Sequence, residues 1–354
     1  MTPTYPLPRS LEDVTPAWLT ARLRENGALT EASITGLDFE HIGAEVGFLD
    51  GLARLRLTYD RVECDAPPAV VVKLPASDPR YRRIGDFYHA YEREIRFYRE
   101  VAPRAPLRLP RCFYAGLQRD SDWYLLVLED MSGYSPGDQV RGLSAAQACA
   151  AVQAMGAFHA SWWNTSALAE LEWMPRRNLH ASHYRAAWPK FREVVGPRLA
   201  PEALARGEEL NACIDDWLDR IDAMPATIVH ADFRADNLLF DDRTPSPSVV
   251  VLDWQLAIRS AGMLDVARLL CGSVPVEDRR ACAHDALRVW HDALLSGGVR
   301  GYSFDQAIAD YRLCALVSLY YPVTIHDAEE AAGARGSALA HAQIERFFAA
   351  SAQG

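Results

Sequence analysis

The residues whose types and spacing could do chemistry gather between Ile228 and Trp254. The segment IVHADFRADNLLF carries His230, Asp232 and Asn237 in the pattern H-x-D-x-x-x-x-N, and the run VVVLD ends on Asp253. Two short apolar runs, NLLF and SVVVLDW, flank the polar stretch DDRTPSP, which is a β-hairpin signal. In an antiparallel hairpin the start of one strand meets the end of the other. The amide oxygen of Asn237 and the carboxylate of Asp253 are therefore expected to face one small volume. Hard oxygen ligands of this kind suit Mg²⁺ bridging nucleotide phosphates. Asp232, in the loop before the hairpin, could accept a proton from an attacking hydroxyl. Arg234, two residues on, could neutralise charge on a transferred phosphoryl group. That set of groups belongs to phosphoryl transfer, where positioning and charge stabilisation supply nearly all the catalysis.

A matching half lies upstream. In AVVVKLP, Val71 and Lys73 share one face of an expected strand, and a lone lysine at the end of an apolar strand should point to a cleft or to solvent. Glu94, in the following helix, is a candidate partner for Lys73, with Glu92 and Glu100 as alternatives. Such a pair can hold an ammonium against nucleotide phosphates. Gly43, Gly47 and Gly51 fall between the first two expected strands, where they serve either hairpin turns or a phosphate cradle.

The elements that must position these groups can be read from pattern. Thr15-Pro16 opens a helix over 15–27, which Gly27 can end. Strands are expected at ITGLDFEHIG, LARLRLTYD, AVVVKLP, RCFYAGL and DWYLLVLED. The spacing predicts a helix over 85–101 with Phe87, Tyr91, Ile95 and Tyr98 among its apolar positions. After Glu129-Asp130 the chain runs through the Gly/Ser/Pro-rich linker MSGYSPGDQ, with a hinge near 130–135, and becomes mainly helical, with helices expected from 144 to 163, 183 to 221, 276 to 295 and 304 to 350. The fold class is α+β: a β-rich N-terminal lobe with one key helix, and a helical C-terminal lobe carrying the hairpin.

The chain has 354 residues, 49% hydrophobic and 24% charged, with a formal net charge of −10. This excludes a disordered chain and a small disulfide scaffold, and it speaks against a nucleic-acid binder or a polybasic membrane reader. No apolar run is long enough to span a bilayer, and the polar, proline-rich N-terminus lacks a signal-peptide core. The seven cysteines include no C-x-x-C pair, so reduced, mostly buried thiols in a cytoplasmic protein are expected.

Lys73, Glu94, His230-x-Asp232, Asn237 and Asp253 occur in kinase order, and the wording HADFRADNLLF and VLDWQ resembles the aminoglycoside phosphotransferase/choline kinase-like superfamily of small-molecule kinases. Within it, the chain is most similar to the ecdysteroid-kinase-like branch, whose motifs read H-G-D-F-x-x-D-N and D-W-Q. The resemblance covers about residues 30–345, and the block 228–270 is its specific part. It implies a protein-kinase-like bilobal fold, with a nucleotide-binding lobe over 1–130 and an acceptor-binding helical lobe over 131–354. It implies ATP or GTP with Mg²⁺ as cofactors, Asp232 as catalytic base, Asn237 and Asp253 as magnesium ligands, Lys73 and Glu94 as the phosphate-binding pair, and Glu129–Met131 as the adenine-binding hinge. Asp265 matches a position that braces the catalytic loop or caps the next helix. Ala231 departs from the family's usual glycine, and the Gly43/Gly47/Gly51 spacing departs from the protein-kinase glycine pattern.

These features predict a kinase acting on a hydroxyl of a small molecule. Trp162, Trp163, Trp173, Trp188, Tyr184, Tyr320 and Tyr321 could line the acceptor pocket, which would suit an apolar or ring-bearing molecule; the alternative for each is core packing. The acidic charge keeps an amino sugar in view. Two other functions are weighed: a catalytically weak nucleotide- or metabolite-binding protein on the same fold, and a metal-dependent phosphohydrolase built on His284-Asp285, His291-Asp292 and His326-Asp327. The first two of those pairs read instead as a solvated helix face beside Asp278, Arg279 and Arg288. His230 is expected to hold the loop and His159 to be a satisfied core residue. The oligomeric state is left open.

Overall fold

The structure, a computed structural model, describes residues 7–42, 50–75, 85, 87–118, 123–241, 243 and 248–351. Gly43 and Gly47 lie outside the described residues. The chain divides into two compact units. The first comprises Met1–Arg104, Leu109–Gly133 and Asp253–Gln255; the second comprises Ala105–Arg108, Tyr134–Leu252 and Leu256–Gly354.

The first unit is built on an antiparallel five-stranded sheet of order β1-β2-β3-β5-β4, with β1 Ile34–His41, β2 Asp50–Tyr59, β3 Ala69–Pro75, β4 Cys112–Gln118 and β5 Trp123–Glu129. Helix α1 (Pro16–Glu25) starts where the sequence places its cap: Thr15 Oγ1 accepts the Trp18 N–H at 3.2 Å and Pro16 fills the first turn. Its apolar stripe of Trp18, Leu19 and Leu23 packs with Leu55, Val70, Val72, Leu125 and Val127 in a continuous core. Helix α2 (Ala90–Arg96) runs into a π-helical turn over Phe97–Val101. The helix predicted over 85–101 is therefore interrupted where its apolar spacing suggests one continuous run. Gly85 and Phe87 are helical, but Tyr88 and His89 form a turn in which His89 takes a left-handed φ of 50°, and helix resumes at Ala90; Phe87 is 63% exposed.

The second unit is mainly helical: α3 Ala145–Trp162, α4 Ala167–Glu170, α5 Ala181–Val194, α6 Pro201–Asp222, α7 Met263–Ser273, α8 Val276–Ser296, α9 Phe304–Val317, α10 Tyr320–Glu330 and α11 Gly333–Ser351. A capping box between Ser144 and Gln147 opens α3, which packs along α8. The stretch predicted as one helix over 183–221 breaks at Gly196-Pro197, and that over 304–350 breaks into α9, α10 and α11. Short strands interrupt the helices. β8 (Leu238–Asp241) pairs with β9 (Ser248–Val251) as the expected hairpin, and β6 (Ser135–Pro136) adds to its edge. β7 (Ala226–Val229) pairs with β10 (Ile258–Ala261). The loop 230–237 is thus anchored at both ends, by β7 before it and β8 after it. Gly137, in what reads as a linker, must be glycine for packing: a Cβ there would lie 2.3 Å from the Ala235 carbonyl oxygen.

No helix among the described residues is long and apolar enough to cross a membrane. Cys271, Cys282 and Cys314 are buried, whereas Cys64 is exposed and Cys112, Cys149 and Cys213 are half-buried.

Candidate active site

In the first unit, the register of β3 turns Lys73 inward, where it is 4% exposed. Burying an ammonium requires counter-charge, and Lys73 Nζ donates to Glu94 Oε2 at 2.7 Å and to Asp253 Oδ1 at 2.9 Å. Glu94 is 1% exposed. The alternatives are engaged elsewhere: Arg96 bonds Glu100 and sits 3.7 Å from Glu92. Asp253 has a left-handed φ of 65°, a strained state for a non-glycine residue. Its neighbours hold it there. Trp254 is fully buried and stacks on Phe97 with centroids 4.0 Å apart, and Gln255 Nε2 donates to Asp253 Oδ2 at 3.1 Å. The D-W-Q tripeptide thereby ties Asp253 to the segment that carries Glu94.

In the second unit, the catalytic-loop candidate is held from several sides. Asp265, fully buried in the first turn of α7, accepts the N–H of His230 at 2.7 Å and that of Ala231 at 2.9 Å. It braces the loop; the residue at the N-cap of α7 is Gly262. Ala231 has a φ of 66°, which accounts for the glycine usual at this position. His230 is fully buried. Its Nε2 lies 2.7 Å from the Leu252 carbonyl, an acceptor only, so Nε2 carries the proton and Nδ1 accepts the Asp232 N–H. His230 is therefore fully used in shaping the loop. His159 is likewise satisfied in the core: Trp290 Nε1 donates to its Nδ1 at 3.1 Å, and its Nε2 donates to Asp265 Oδ2 at 3.3 Å.

The Asp232 carboxylate is ringed by donors. Arg234 Nε and Asn237 Nδ2 each donate to Oδ2 at 3.1 Å, and Arg268 Nη2 donates to Oδ1 at 3.1 Å. Burial alone would raise the pKa of this carboxyl, but the Arg234 and Arg268 guanidinium groups outweigh it and hold it down to about 2. Arg234 also donates to Asp236 Oδ2 at 2.8 Å, so its charge lies between two carboxylates. Asn237 closes the 3₁₀ turn Ala235–Asn237, and its carbonyl accepts the N–H of Leu252, the residue that precedes Asp253 in the chain. Gln139, fully buried, accepts the Ala235 N–H at 2.8 Å and backs the turn.

Other predicted residues fall as follows. Glu129 Oε2 accepts the Arg111 N–H at 2.9 Å, and Met131 is buried. Among the aromatics, Trp162, Trp188 and Tyr184 are core residues. Tyr184 donates to Gly207 O, Trp188 donates to Glu208, and both belong to a stack that continues through Phe191 to Phe348. Tyr320 OH lies 3.4 Å from His183 Nδ1, while Tyr321 lies under the Arg268 guanidinium, 3.9 Å from its ring centroid. The three His-Asp pairs do not share one environment. His284 and Asp285 are exposed, His291 is buried against Tyr302 O, and His326 packs on Phe191. The solvated face expected around them is only partial, since Arg279 is 3% exposed.

Sequence reasoning missed Arg268, Gln139 and Gln255. Arg268 stands three residues after Asp265 on one helix, a spacing that places both on the same face and could have pointed to it.

The profile of a phosphotransferase enzyme family matches residues 54–304. An uncharacterized kinase-like protein of Caenorhabditis elegans is 26% identical over 218 residues, covering 58% of this chain and 56% of that protein. The chain thus matches little more than half the length of this curated relative. Among solved structures, choline kinase from Cryptosporidium parvum has a TM-score of 0.57 at 11% identity, over 93% of each chain. The GDP complex of wild-type aminoglycoside 2′-phosphotransferase-IIIa has a TM-score of 0.53 at 13% identity, over 93% of this chain and 98% of that one. A microcompartment-associated aminopropanol kinase has a TM-score of 0.51 at 14% identity, over 93% and 98%. At such identities the likeness is one of fold: a β-sheet region followed by a helical region, as in kinase-like proteins.

Proposed function

The chain belongs to the phosphotransferase enzyme family, and from that premise we propose that it moves the γ-phosphoryl group of ATP or GTP to a hydroxyl of a small molecule. The observation that carries the reading is the Lys73 ammonium, bonded at once to Glu94 and to Asp253, a residue 180 positions away in the chain. A buried lysine so placed binds the phosphates of a nucleotide, with Glu94 holding it in position. Asp232 orients the acceptor hydroxyl and receives its proton. Arg234 and Asn237 aim that carboxylate, and the Arg234 charge lies where it can offset charge on the transferred group. Glu129–Met131 is assigned as the adenine-binding hinge.

Asn237 and Asp253 are the residues that would hold Mg²⁺. Their chemistry fits a hard cation: Asn237 spends its Nδ2 on Asp232, leaving the amide oxygen as its ligand atom, and Asp253 adds an anionic oxygen. Bound with the nucleotide, the metal neutralises phosphate charge. Because Trp188 and Tyr184 are spent on the core, the acceptor is not restricted to ring-bearing molecules. The names of the solved relatives place an aminoglycoside, choline and aminopropanol on the panel, beside a macrolide and a sterol alcohol.

Nucleotide consumption in the presence of Mg²⁺ is measured across that panel. One acceptor should accelerate ADP or GDP release well above the basal rate. Asp232→Asn should then lower turnover on the order of 10²–10⁴-fold while leaving nucleotide binding nearly intact. Asp253→Ala should abolish Mg²⁺-dependent nucleotide binding in a calorimetric titration. Turnover of Asp232→Asn within about tenfold of the parent would remove Asp232 from the role of base.

A further inference from the structure

We propose that Arg268 is a positioning residue for Asp232, fixing the rotamer of its carboxylate from helix α7 while Gln343 and Tyr321 fix Arg268 in turn. The inference rests on the reading of Asp232 as the group that receives the acceptor proton. Asp265 and Arg268, three residues apart on α7, grip the same loop in two ways. Asp265 takes the backbone N–H groups of His230 and Ala231, and Arg268 takes the side chain of Asp232. The torsion that rotates a carboxylate about its own axis is broad and two-fold, so bonds to a single oxygen leave it loosely aimed. Arg234 and Asn237 both address Oδ2; Arg268 alone of these three addresses Oδ1.

Arg268 is itself immobilised. It is 3% exposed, its Nη1 donates to Gln343 Oε1 at 3.1 Å, and its guanidinium carbon sits 3.9 Å above the Tyr321 ring centroid. Gln343, on α11, is 1% exposed and donates through Nε2 to Glu329 Oε1, on α10. Tyr321, also on α10, places its OH 3.4 Å from the carbonyl of Ala231. Only a planar fork can serve Asp232 and Gln343 together while lying on an aromatic face, so lysine is not equivalent here. A buried ion pair is a poor device for stability compared with apolar packing. What it supplies here is a fixed direction for one carboxylate.

The test compares Arg268→Lys, Gln343→Leu, Gln343→Glu and Asp232→Asn with the parent, in the full chain. The readouts are kcat and KM for Mg²⁺–ATP, with water as the phosphoryl acceptor, and the melting temperature. Arg268→Lys should lower kcat on the order of 10- to 100-fold, the loss expected of one charge-assisted bond, with KM for ATP changed by less than about twofold. Gln343→Leu should lower kcat roughly 3- to 10-fold with the same split, and Gln343→Glu, which still accepts from Arg268 and can accept in turn from Glu329 where that carboxyl is protonated, should restore it to within about twofold when assayed near pH 6. Gln343→Leu should add nothing in an Arg268→Lys background, because both act through one carboxylate. Should Arg268→Lys fail to fold, the Gln343 pair carries the test. A parent-like kcat in Arg268→Lys or Gln343→Leu beside an inactive Asp232→Asn overturns the positioning role alone, as do losses confined to KM. A parent-like kcat in Asp232→Asn instead overturns the reading of Asp232 as base, and with it the role of Arg268.

Discussion

Replacing Asp265 by Asn tests whether one buried carboxylate holds the catalytic loop. Asp265 is fully buried, and its oxygens accept two consecutive backbone N–H groups, from His230 at 2.7 Å and Ala231 at 2.9 Å, together with His159 Nε2 at 3.3 Å. Hydrogen bonds to a charged group contribute about 1.5–3 kcal/mol each, and neutral ones about 0.5–1.5. Asparagine keeps one acceptor oxygen and turns an NH₂ group toward the second donor. With that oxygen in the Oδ2 position, the bonds from His230 and His159 fall from charged to neutral, a loss of about 1 kcal/mol each, and the bond from Ala231 disappears, a loss of about 2. The expected destabilisation is about 4 kcal/mol, a large share of the roughly 5–15 kcal/mol that holds a typical domain. Ala231 sits at a φ of 66°, which costs an L-residue about 1–2 kcal/mol and persists only while its surroundings enforce it. Releasing its N–H should let the loop relax, so turnover should fall at least tenfold in the folded variant. Urea unfolding followed by tryptophan fluorescence, with turnover measured on the same preparation, checks both numbers. A midpoint shift worth less than about 1 kcal/mol with unchanged turnover would refute the claim that Asp265 enforces the loop.

Three further outcomes are expected. Ala231→Gly should change stability by less than about 1 kcal/mol in either direction, because relief of about 1–2 kcal/mol of left-handed strain is offset by a lost buried methyl and by added freedom of the unfolded chain; a loss above about 2 kcal/mol in urea unfolding would show that the φ is unstrained. Burial raises the Glu329 carboxyl to about 7 against the partial opposition of Arg268 and Arg234, so the native state binds this proton more tightly than the unfolded chain, and its contribution to stability is complete below about 4.5 and lost as pH rises through about 7. Glu329→Gln should therefore match the parent near pH 5 and exceed it near pH 8 by up to about 3 kcal/mol, and an equal difference at both pH values would sink the assignment. Asp232→Glu keeps the charge but moves it one methylene further, and its turnover should fall on the order of 10²-fold, close to that of Asp232→Asn; retention of more than a third of parental turnover would show that charge without placement suffices.

How much of this was legible in the sequence depends on how local each signal is. The sheet strands of the first unit, the cap at Thr15 and the 238–251 hairpin follow from patterns a few residues long, and the structure places them within a residue or two. The family resemblance rested on the 228–270 block, and the match over 54–304 agrees with it. What escaped is long-range. Ile258–Ala261 pairs with Ala226–Val229 although the tetrapeptide IRSA carries no strand pattern of its own. The break at Tyr88-His89 inside the 85–101 helix was missed because a left-handed histidine leaves apolar spacing unchanged. Arg279 and His291 read as solvated because charged residues on a helix usually are, yet both are buried by packing that no local spacing reports. Arg268 belongs with them: its partners lie 36 and 75 positions away.

The charges around Asp232 bear on what a carboxylate at this place does. A carboxyl held down to about 2 is a feeble base toward an alcohol at neutral pH. Two guanidinium groups on one carboxylate would be counterproductive if the rate depended on basicity. In a loose phosphoryl-transfer transition state the acceptor hydroxyl keeps its proton until bonding to phosphorus is advanced, and the early requirement is a nucleophile in line. On the proposed reading, an ionised, rigidly aimed carboxylate would meet that requirement and would take the proton only once the hydroxyl has become acidic. The same logic makes sense of a loop braced by polar and charged groups: Asp265 on the backbone, Arg234 and Asn237 on one oxygen, Arg268 on the other. Asp265 and Arg268 are costly to bury, and on the proposed reading the set would remove reorganisation from the moment of transfer.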